Sequence, residues 1–500
     1  MTVSNEVPRL DRRALLGAAV LAPVALAPQT VFGADAGDAA ETRRPTDTAS
    51  GESLALARHV AECRVADIPD EALRVGARSL LDAIGVSLAA SGEEPAVRPF
   101  IDHALEEGRG GRAVVLGTGR RATVGLAALA NGSLAHAMDY EDAHDPSRTH
   151  PNAAPVAVAV AMASGLRGIT GRDALAAVVI GADVACRLSM AQGNVDELPK
   201  AFYPPSIAGT MGATATAARL LKLSPAQTLD AFSIALCQNA CSAEILSDAY
   251  SDLRAVRDGF SAQVGVQAAQ LARLGVKGFS RPIEGERGFF AMYAGGRAVP
   301  GVLTRELGRR FEGQFVGYKA WPACRDTHPY IQAVLDGQAR GRIDPSQIES
   351  ILADVPSRSL IVTEPKTEKQ LPRAAIDAKF SLYFTVATTL LHDRVTFASF
   401  APDALKDPAT LALAARVDYR VVKGPARLTL RLRDGRVLDW LAGPLYGAPE
   451  NPMDEAALRA KFIDCAGMAR RVPRLDLKQL ADRLLGIAGE NNLPALLRLL

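Results

Sequence analysis

His136-Ala-Met-Asp139-Tyr-Glu141-Asp142-Ala-His144-Asp145-Pro-Ser-Arg148-Thr149-His150-Pro151-Asn152 sets the reading of the whole chain. It gathers three histidines and four carboxylates. The flanks, residues 123–134 and 153–164, carry no charge at all and read as buried helices. A polar knot between two buried helices has to be satisfied or functional, because unpaired buried charge is costly. Asp142, Asp145 and Pro146 also fit a solvated loop, and Asp139 a plain helix cap. The concentration of titratable types favours a site.

Outward from the knot, composition bounds the answer. A chain of 500 residues is too long for one ordinary domain, so two are expected. Hydrophobic residues make up 48% and aromatics only 5%, which predicts a globular core of Ala, Val and Leu with closely packed helices. A net charge of +2, without any basic block, implies no nucleic-acid partner. The six cysteines form no Cys-x-x-Cys pair. Cys237 and Cys241 stand at helical spacing without further ligands nearby, so no metal is assigned and small buried residues are expected.

Residues 1–36 read as an export signal. Arg12-Arg13 precedes an uncharged run, Ala14–Ala27, and Ala34-Asp35-Ala36 offers a cleavage site. Asp11-Arg-Arg-Ala-Leu-Leu-Gly resembles a twin-arginine motif. The run is shorter than the roughly 20 residues of a membrane span and holds Pro23, so no membrane partner is expected once the signal is removed. Residues 37–51 read as a polar linker, and the mature chain is expected in the periplasm.

From residue 53 the pattern is helical. Helices are predicted over 53–65, from Asp70 with the stripe Leu73, Ala77, Leu80, Leu81, Ile84 and Leu88, and over 123–138, 152–164, 172–190, 206–221, 225–240 and 257–274. Ala113–Leu116 reads as a short extended piece. Strand-like runs then appear at 347–355, 416–422 and 427–440, the last turning at Asp434-Gly435. One helix, Ile376–Leu391, interrupts them. The expected architecture is mainly α: a large all-helical domain over 53–298, a smaller α+β lid domain over 299–443, and a helical segment over 444–500 packing back on the first.

Two further stretches carry chemistry. Gly317-Tyr318-Lys319-Ala-Trp321-Pro-Ala-Cys324-Arg325-Asp-Thr-His328-Pro gathers a lysine, a cysteine, an arginine and a histidine around a proline-fixed turn. Arg254-Ala-Val-Arg257-Asp258-Gly259 spaces two arginines i, i+3, so both can face one anion; salt bridging to surface acids is the plainer alternative.

At this point the chain resembles the MmgE/PrpD family, typified by 2-methylcitrate dehydratase and cis-aconitate decarboxylase. The resemblance runs from about residue 53 to about 465 and rests on motifs in order. They are His136-Ala-Met-Asp139-Tyr-Glu-Asp142 with His150-Pro151, Gly181-Ala-Asp-Val-Ala-Cys-Arg187, and Ala208-Gly-Thr-Met-Gly-Ala213. Gly278-Phe-Ser-Arg-Pro282 with Glu284-Gly-Glu-Arg-Gly-Phe289, Lys319-Ala-Trp-Pro-Ala-Cys324 with Thr327-His328-Pro329, Asp377-Ala-Lys-Phe-Ser-Leu382 and Pro444-Leu-Tyr-Gly447 with Asn451-Pro452 follow. The resemblance implies a cleft between the two domains, a homodimer, chemistry without metal or organic cofactor, and a small di- or tricarboxylate substrate. It places Asp139, His150 and Lys319 on the pocket. Departures are visible: Ala143 stands where a threonine is common, Arg254 and Arg257 where a Lys-Pro-x-His motif falls, and Cys324 where a histidine follows the lysine.

These readings converge on a cofactor-independent hydro-lyase that removes a proton next to a carboxylate. His150 is the expected base. Lys319, Arg254 and Arg257 are expected to hold carboxylates, and His144, His328 or Tyr318 to supply the acid. Cys324 and Arg325 complete the expected substrate-binding set. A dicarboxylate racemase or epimerase begins with the same step, and a periplasmic carboxylate-binding protein without catalysis keeps the same cationic cleft. The export reading predicts that an Arg12→Lys, Arg13→Lys double variant accumulates in the cytoplasm on fractionation; unchanged export sinks it.

Overall fold

The computed structural model describes residues 51–194, 197–247 and 251–500. The expected signal over 1–36, and the linker up to residue 50, lie outside the described residues.

The first half is helical. It contains α1 (Glu52–Glu62), α2 (Asp70–Glu93), α3 (Arg98–Glu107), the ribbon β1 (Ala113–Val115) and β2 (Arg120–Ala122), α4 (Val124–Ala137), α5 (Ala153–Gly165) and α6 (Gly171–Ala191). α7 (Pro204–Leu220), α8 (Pro225–Leu236), α9 (Leu253–Val256), α10 (Asp258–Arg273) and α11 (Phe289–Tyr293) complete it. Starts follow local rules. Thr170 with Asp173 and Ser224 with Gln227 form capping boxes on α6 and α8. Asp70 and Glu71 sit in the first turn of α2, where the helix dipole favours acids.

The uncharged flanks become the centre. A helix apolar around its circumference has to be buried, and residues 153–164 of α5 are all buried, packed against α4, α6, α7, α10 and β1. α6 is long and apolar enough to cross a bilayer, but here it is enclosed by protein and carries the buried pair Arg187–Asp183 at 2.8 Å. Small residues let α6 and α7 touch: a Cβ on Gly212 would lie 2.7 Å from Gly181 O and 2.9 Å from Ala185 Cβ.

The second half contains α12 (His328–Arg340), β3 (Ile348–Pro356), α13 (Lys366–Gln370), α14 (Ala375–Lys379), α15 (Leu382–His392) and α16 (Pro408–Ala414). Then come β4 (Val417–Val422), β5 (Arg427–Leu432) and β6 (Val437–Leu441). The sheet order is β4-β3-β5-β6, with β3 parallel to β4 and antiparallel to β5. β5 and β6 form the expected hairpin, with Gly435 at φ +89° in the turn. Leu428, Leu430 and Leu432 are fully buried in a second core with Tyr330, Val334 and Tyr383 of α12 and α15. The C-terminal α17 (Glu455–Gly467) and α18 (Leu477–Leu485) pack on α2, and α19 (Leu493–Leu497) packs on α5, so they join the first core.

Several expectations are corrected. The helix expected over Ile376–Leu391 is two helices. Ser381 caps α15 by accepting from Phe384 N at 3.0 Å, and Cys324 N donates to Lys379 O at 2.9 Å, so α14 ends there. The helix expected to reach residue 240 stops at Leu236, where Asn239 Nδ2 donates to Ile207 O at 2.9 Å. Cys237 is therefore exposed and Cys241 half-buried, instead of sharing one buried helical face. α3 and α12 are absent from the expected helices, although each buries one apolar face: Ile101, Ala104 and Leu105 in α3, and Tyr330, Ile331 and Val334 in α12.

Gly212→Val should lower the stability of the folded chain by about 1–3 kcal/mol through overpacking against α6. The melting temperature measures this; an unchanged value refutes the close-contact account.

Candidate active site

The His136–Asn152 stretch leaves α4, makes an irregular loop and enters α5. Asp139 adopts φ +50°, a left-handed conformation that Asp tolerates better than most residues. Its amide donates to His136 O at 2.7 Å. Ala143 and Gly317 exchange backbone hydrogen bonds of 2.9 and 2.8 Å, which brings the second motif alongside the first. Lys319 then reaches inward, donating to Asp139 Oδ1 at 2.5 Å and to Asp139 O at 2.9 Å.

That pair is fully enclosed. Burial pulls the Lys319 ammonium toward neutrality, but Asp139 and Glu141 outweigh it and hold its pKa above the ordinary value. Lys461 of α17 supports both segments from behind. Its ammonium meets Asp82 of α2 at 2.7 Å, Tyr140 O at 2.7 Å and Lys319 O at 2.9 Å.

His136 and His150 face each other with ring centroids 5.0 Å apart. His136 Nδ1 hydrogen-bonds Glu141 Oε1. His150 Nδ1 lies 2.8 Å from Asp142 O, so Nδ1 donates and Nε2 carries the lone pair. Glu141 Oε1 is 3.2 Å from the same Nδ1. Burial first, then Lys319, holds the His150 pKa well below its usual value, and burial with Arg257 does the same to His136. Both rings are neutral at neutral pH. The His150 side chain keeps 15% exposure whereas that of His136 keeps 1%, so His150 is the one of the two open to a small molecule.

Arg257 Nη2 lies 3.4 Å from His136 Nδ1 and 3.6 Å from Asp258 Oδ2, with its guanidinium 4.9 Å from the centre of the Tyr203 ring. Arg254 stacks on Phe380 at 3.4 Å. Several buried polar atoms here have no hydrogen-bond partner among the described residues: His136 Nε2, Asp139 Oδ2, Arg254 Nε and Nη2, and Arg257 Nε. Groups of this kind at the wall of a site are aimed at something other than the protein. Cys324 is buried beside them, its thiol pushed up to about 12 by burial and then by Asp326 and Asp139.

Ligating atoms of His136, Asp139, Glu141 and His150 lie within 4.8 Å of one another, so the donor set is compact enough for a cation. Lys319 and Arg257 already stand against those donors, and a metal ion would enter against two fixed positive charges.

Asp139, His150, Lys319, Arg254, Arg257 and Cys324 thus come together. Four other expected site residues do not join them. His144 is fully buried, with Nδ1 2.8 Å from Ser147 Oγ. The Tyr318 hydroxyl is 3.2 Å from Ser79 Oγ and donates to Val75 O at 3.1 Å, inside the helical core. Arg325 grips Asp145 with two bonds of 3.0 and 2.8 Å. His328 packs edge-on to Trp321 with Nε2 3.2 Å from Ala323 O. The sequence reading missed Tyr203, whose only signal is its place before Pro204-Pro205 at the start of α7, and Lys461, which gave none.

The chain matches the MmgE/PrpD N-terminal domain over residues 54–300 and the MmgE/PrpD C-terminal domain over residues 321–479. It is 27% identical to cis-aconitate decarboxylase of Homo sapiens over 67% of this chain and 71% of that protein. It is 25% identical to cis-aconitate decarboxylase of Mus musculus over 80% and 83% of the two chains. The cis-aconitate decarboxylase-like protein oryM of Aspergillus oryzae is 25% identical over 89% of this chain and 96% of its own. With both domains matched in order, the chain belongs to the MmgE/PrpD family.

Proposed function

We propose that the protein is a lyase acting on a small di- or tricarboxylic acid, with His150 as the group that exchanges a proton with the carbon next to a carboxylate. The observation that carries this is His150 itself: a neutral imidazole with Nδ1 pinned to a carbonyl, next to a cationic wall of Lys319, Arg254 and Arg257. A base must be unprotonated at working pH, and the depressed pKa secures that. The carbanion equivalent spreads its charge onto the adjacent carboxylate, where fixed cations stabilise it more than the ground state.

In dehydration the C–H electron pair forms the new double bond, and the C–O bond breaks with the hydroxyl taking a proton. Tyr203 fits the donor better than His144, His328 or Tyr318, because it touches Arg257 and burial keeps its hydroxyl protonated. Asp139 holds Lys319 in place. Decarboxylation is the second reading, favoured by the names of the relatives. Loss of carbon dioxide leaves the same kind of carbanion, whose proton would then come from the Tyr203 hydroxyl, because neutral His150 has a lone pair at Nε2 and no proton there to give. Incubating the purified chain with a panel of di- and tricarboxylates separates them by loss of water or of carbon dioxide. Chiral inversion would identify an epimerase, and binding without turnover a carrier.

On the substrate so found, His150→Gln should lower kcat by about 10²–10⁴-fold while binding persists. Because the folded pKa of His150 is depressed, the base form persists as pH falls through 6.5. The acid limb of kcat/KM should therefore lie below that value. Near-wild-type turnover of the variant, or a limb at or above 6.5, assigns the base elsewhere.

We also propose a homodimer built on the helical half. Leu274, Val276 and Phe279, in the segment that follows α10, are each at least 44% exposed, apolar side chains of the kind that interfaces cover. Light scattering at micromolar concentration should give twice the chain mass; a monomer refutes it.

A further inference from the structure

Beyond the reacting corner lies a cleft lined on one side by Ile245, Leu246, Ser247, Ser251 and Arg254 and on the other by the α13–α14 region. Arg254 and Lys369 both line it, and both are only 5% exposed. They share one aromatic platform: the Arg254 guanidinium lies 3.4 Å, and Lys369 Nζ 5.9 Å, from the centre of the Phe380 ring.

Buried lysines are normally paired, and Lys319 and Lys461 follow that rule with Asp139 and Asp82. Lys369 does not. Among the described residues no carboxylate comes within salt-bridge distance of it. Asp377 supports it from farther away, and Glu368 lines the same cleft but is exposed. Burial, and then Arg254, push the Lys369 pKa down to about 8. Two like charges held over one ring in a low-dielectric cleft repel each other, and an anion between them relieves both. Arg254 adds the independent sign: Nε and Nη2 are buried with no hydrogen-bond partner among the described residues. The Lys369 backbone is already used, its carbonyl accepting from Ser381 Oγ, so the segment is anchored without the ammonium.

We infer that Arg254 and Lys369 form a second anion subsite, which receives a carboxylate of the substrate remote from the carbon that His150 serves. The inference rests on the proposed function for the identity of the ligand, and it deepens that reading. The substrate must be at least a dicarboxylate, and Lys369 selects it over monocarboxylates of similar size.

The test is equilibrium binding, which needs no turnover. Propane-1,2,3-tricarboxylate is a suitable probe because it has no hydroxyl to lose and no double bond to hydrate. Butyrate is the monocarboxylate control. Calorimetry on the full chain should show the tricarboxylate binding tighter than butyrate. Lys369→Met should weaken the tricarboxylate by about tenfold or more, the loss of one charge-assisted hydrogen bond, and leave butyrate unchanged. Lys369→Arg should restore it. Lys369→Met replaces an unpaired buried charge by an apolar chain and should melt no lower than wild type; Lys369→Gln serves if it fails to fold. Tricarboxylate binding within twofold of wild type in Lys369→Met, or no preference of the wild type over butyrate, overturns the subsite. Selective binding with no lyase activity on any carboxylate would instead sink the proposed function and leave the subsite standing.

Discussion

Two ammonium groups sealed inside the protein hold the candidate site together. Lys319 reaches from the 317–319 segment to both the carboxylate and the carbonyl of Asp139. Lys461 reaches from α17 to Asp82 on α2 and to the carbonyls of Tyr140 and Lys319. The central loop, the start of the second half and the C-terminal segment are thus joined by buried, charge-assisted bonds. Removing one partner of such a pair typically costs about 3–5 kcal/mol, because the other charge is stranded. Whether the pairs add net stability relative to apolar side chains is a separate matter. Their effect here is positional: Asp139 sits in a left-handed conformation that its loop alone would hold poorly.

The same cations set the protonation of the histidines. Lys319 and Arg257 both stand near His136 and His150, and each pushes the ring toward its neutral form, in the same direction as burial. Glu141 works against them at His150. The result is a site in which the ammonium stays charged and the imidazole stays free. In the proposed reaction the base and the electrostatic sink for its product, already apart in intrinsic pKa, are pushed further apart by environment.

Much of this was legible in the chain. Charge-free runs on both sides of one polar stretch located the central helices α4 and α5 and the knot between them. Alternation at Leu428, Leu430 and Leu432, closed by Asp434-Gly435, located the hairpin. The break at Phe380–Ser381 was not legible, since it depends on a hydrogen bond from Cys324, more than fifty residues away in sequence. The assignment of site residues split along the same line. Asp139, His150 and Lys319 come together because backbone pairing of Ala143 with Gly317 sets their distance. Tyr318 alternates to the opposite side of that extended segment and ends against Ser79 and Val75. Neighbouring residues in an extended segment point to opposite faces, so both could not serve the pocket. His328 and Arg325 lie past the turn, where Trp321 and Asp145 claim them. Tyr203 and Lys461 come from distant segments and carry no local pattern, so only the fold reveals them.

The arginines at 254 and 257 stand where the resemblance implied a Lys-Pro-x-His motif. A lysine or histidine in that corner can exchange a proton near neutral pH, whereas arginine cannot. Arg257 is locked by the carbonyl of Arg254 at 2.8 Å and by Asp258, and stacked on Tyr203, so its charge is fixed in direction as well as in sign. Arg254, held over the Phe380 ring with two nitrogens unpartnered among the described residues, is the better placed to meet a ligand. In the proposed reaction a corner built this way would bind anions and shape their pose, and proton exchange would fall to His150 and to the Tyr203 hydroxyl beside Arg257. The division follows from side-chain chemistry alone: a guanidinium that cannot titrate concentrates the proton traffic on the few groups that can.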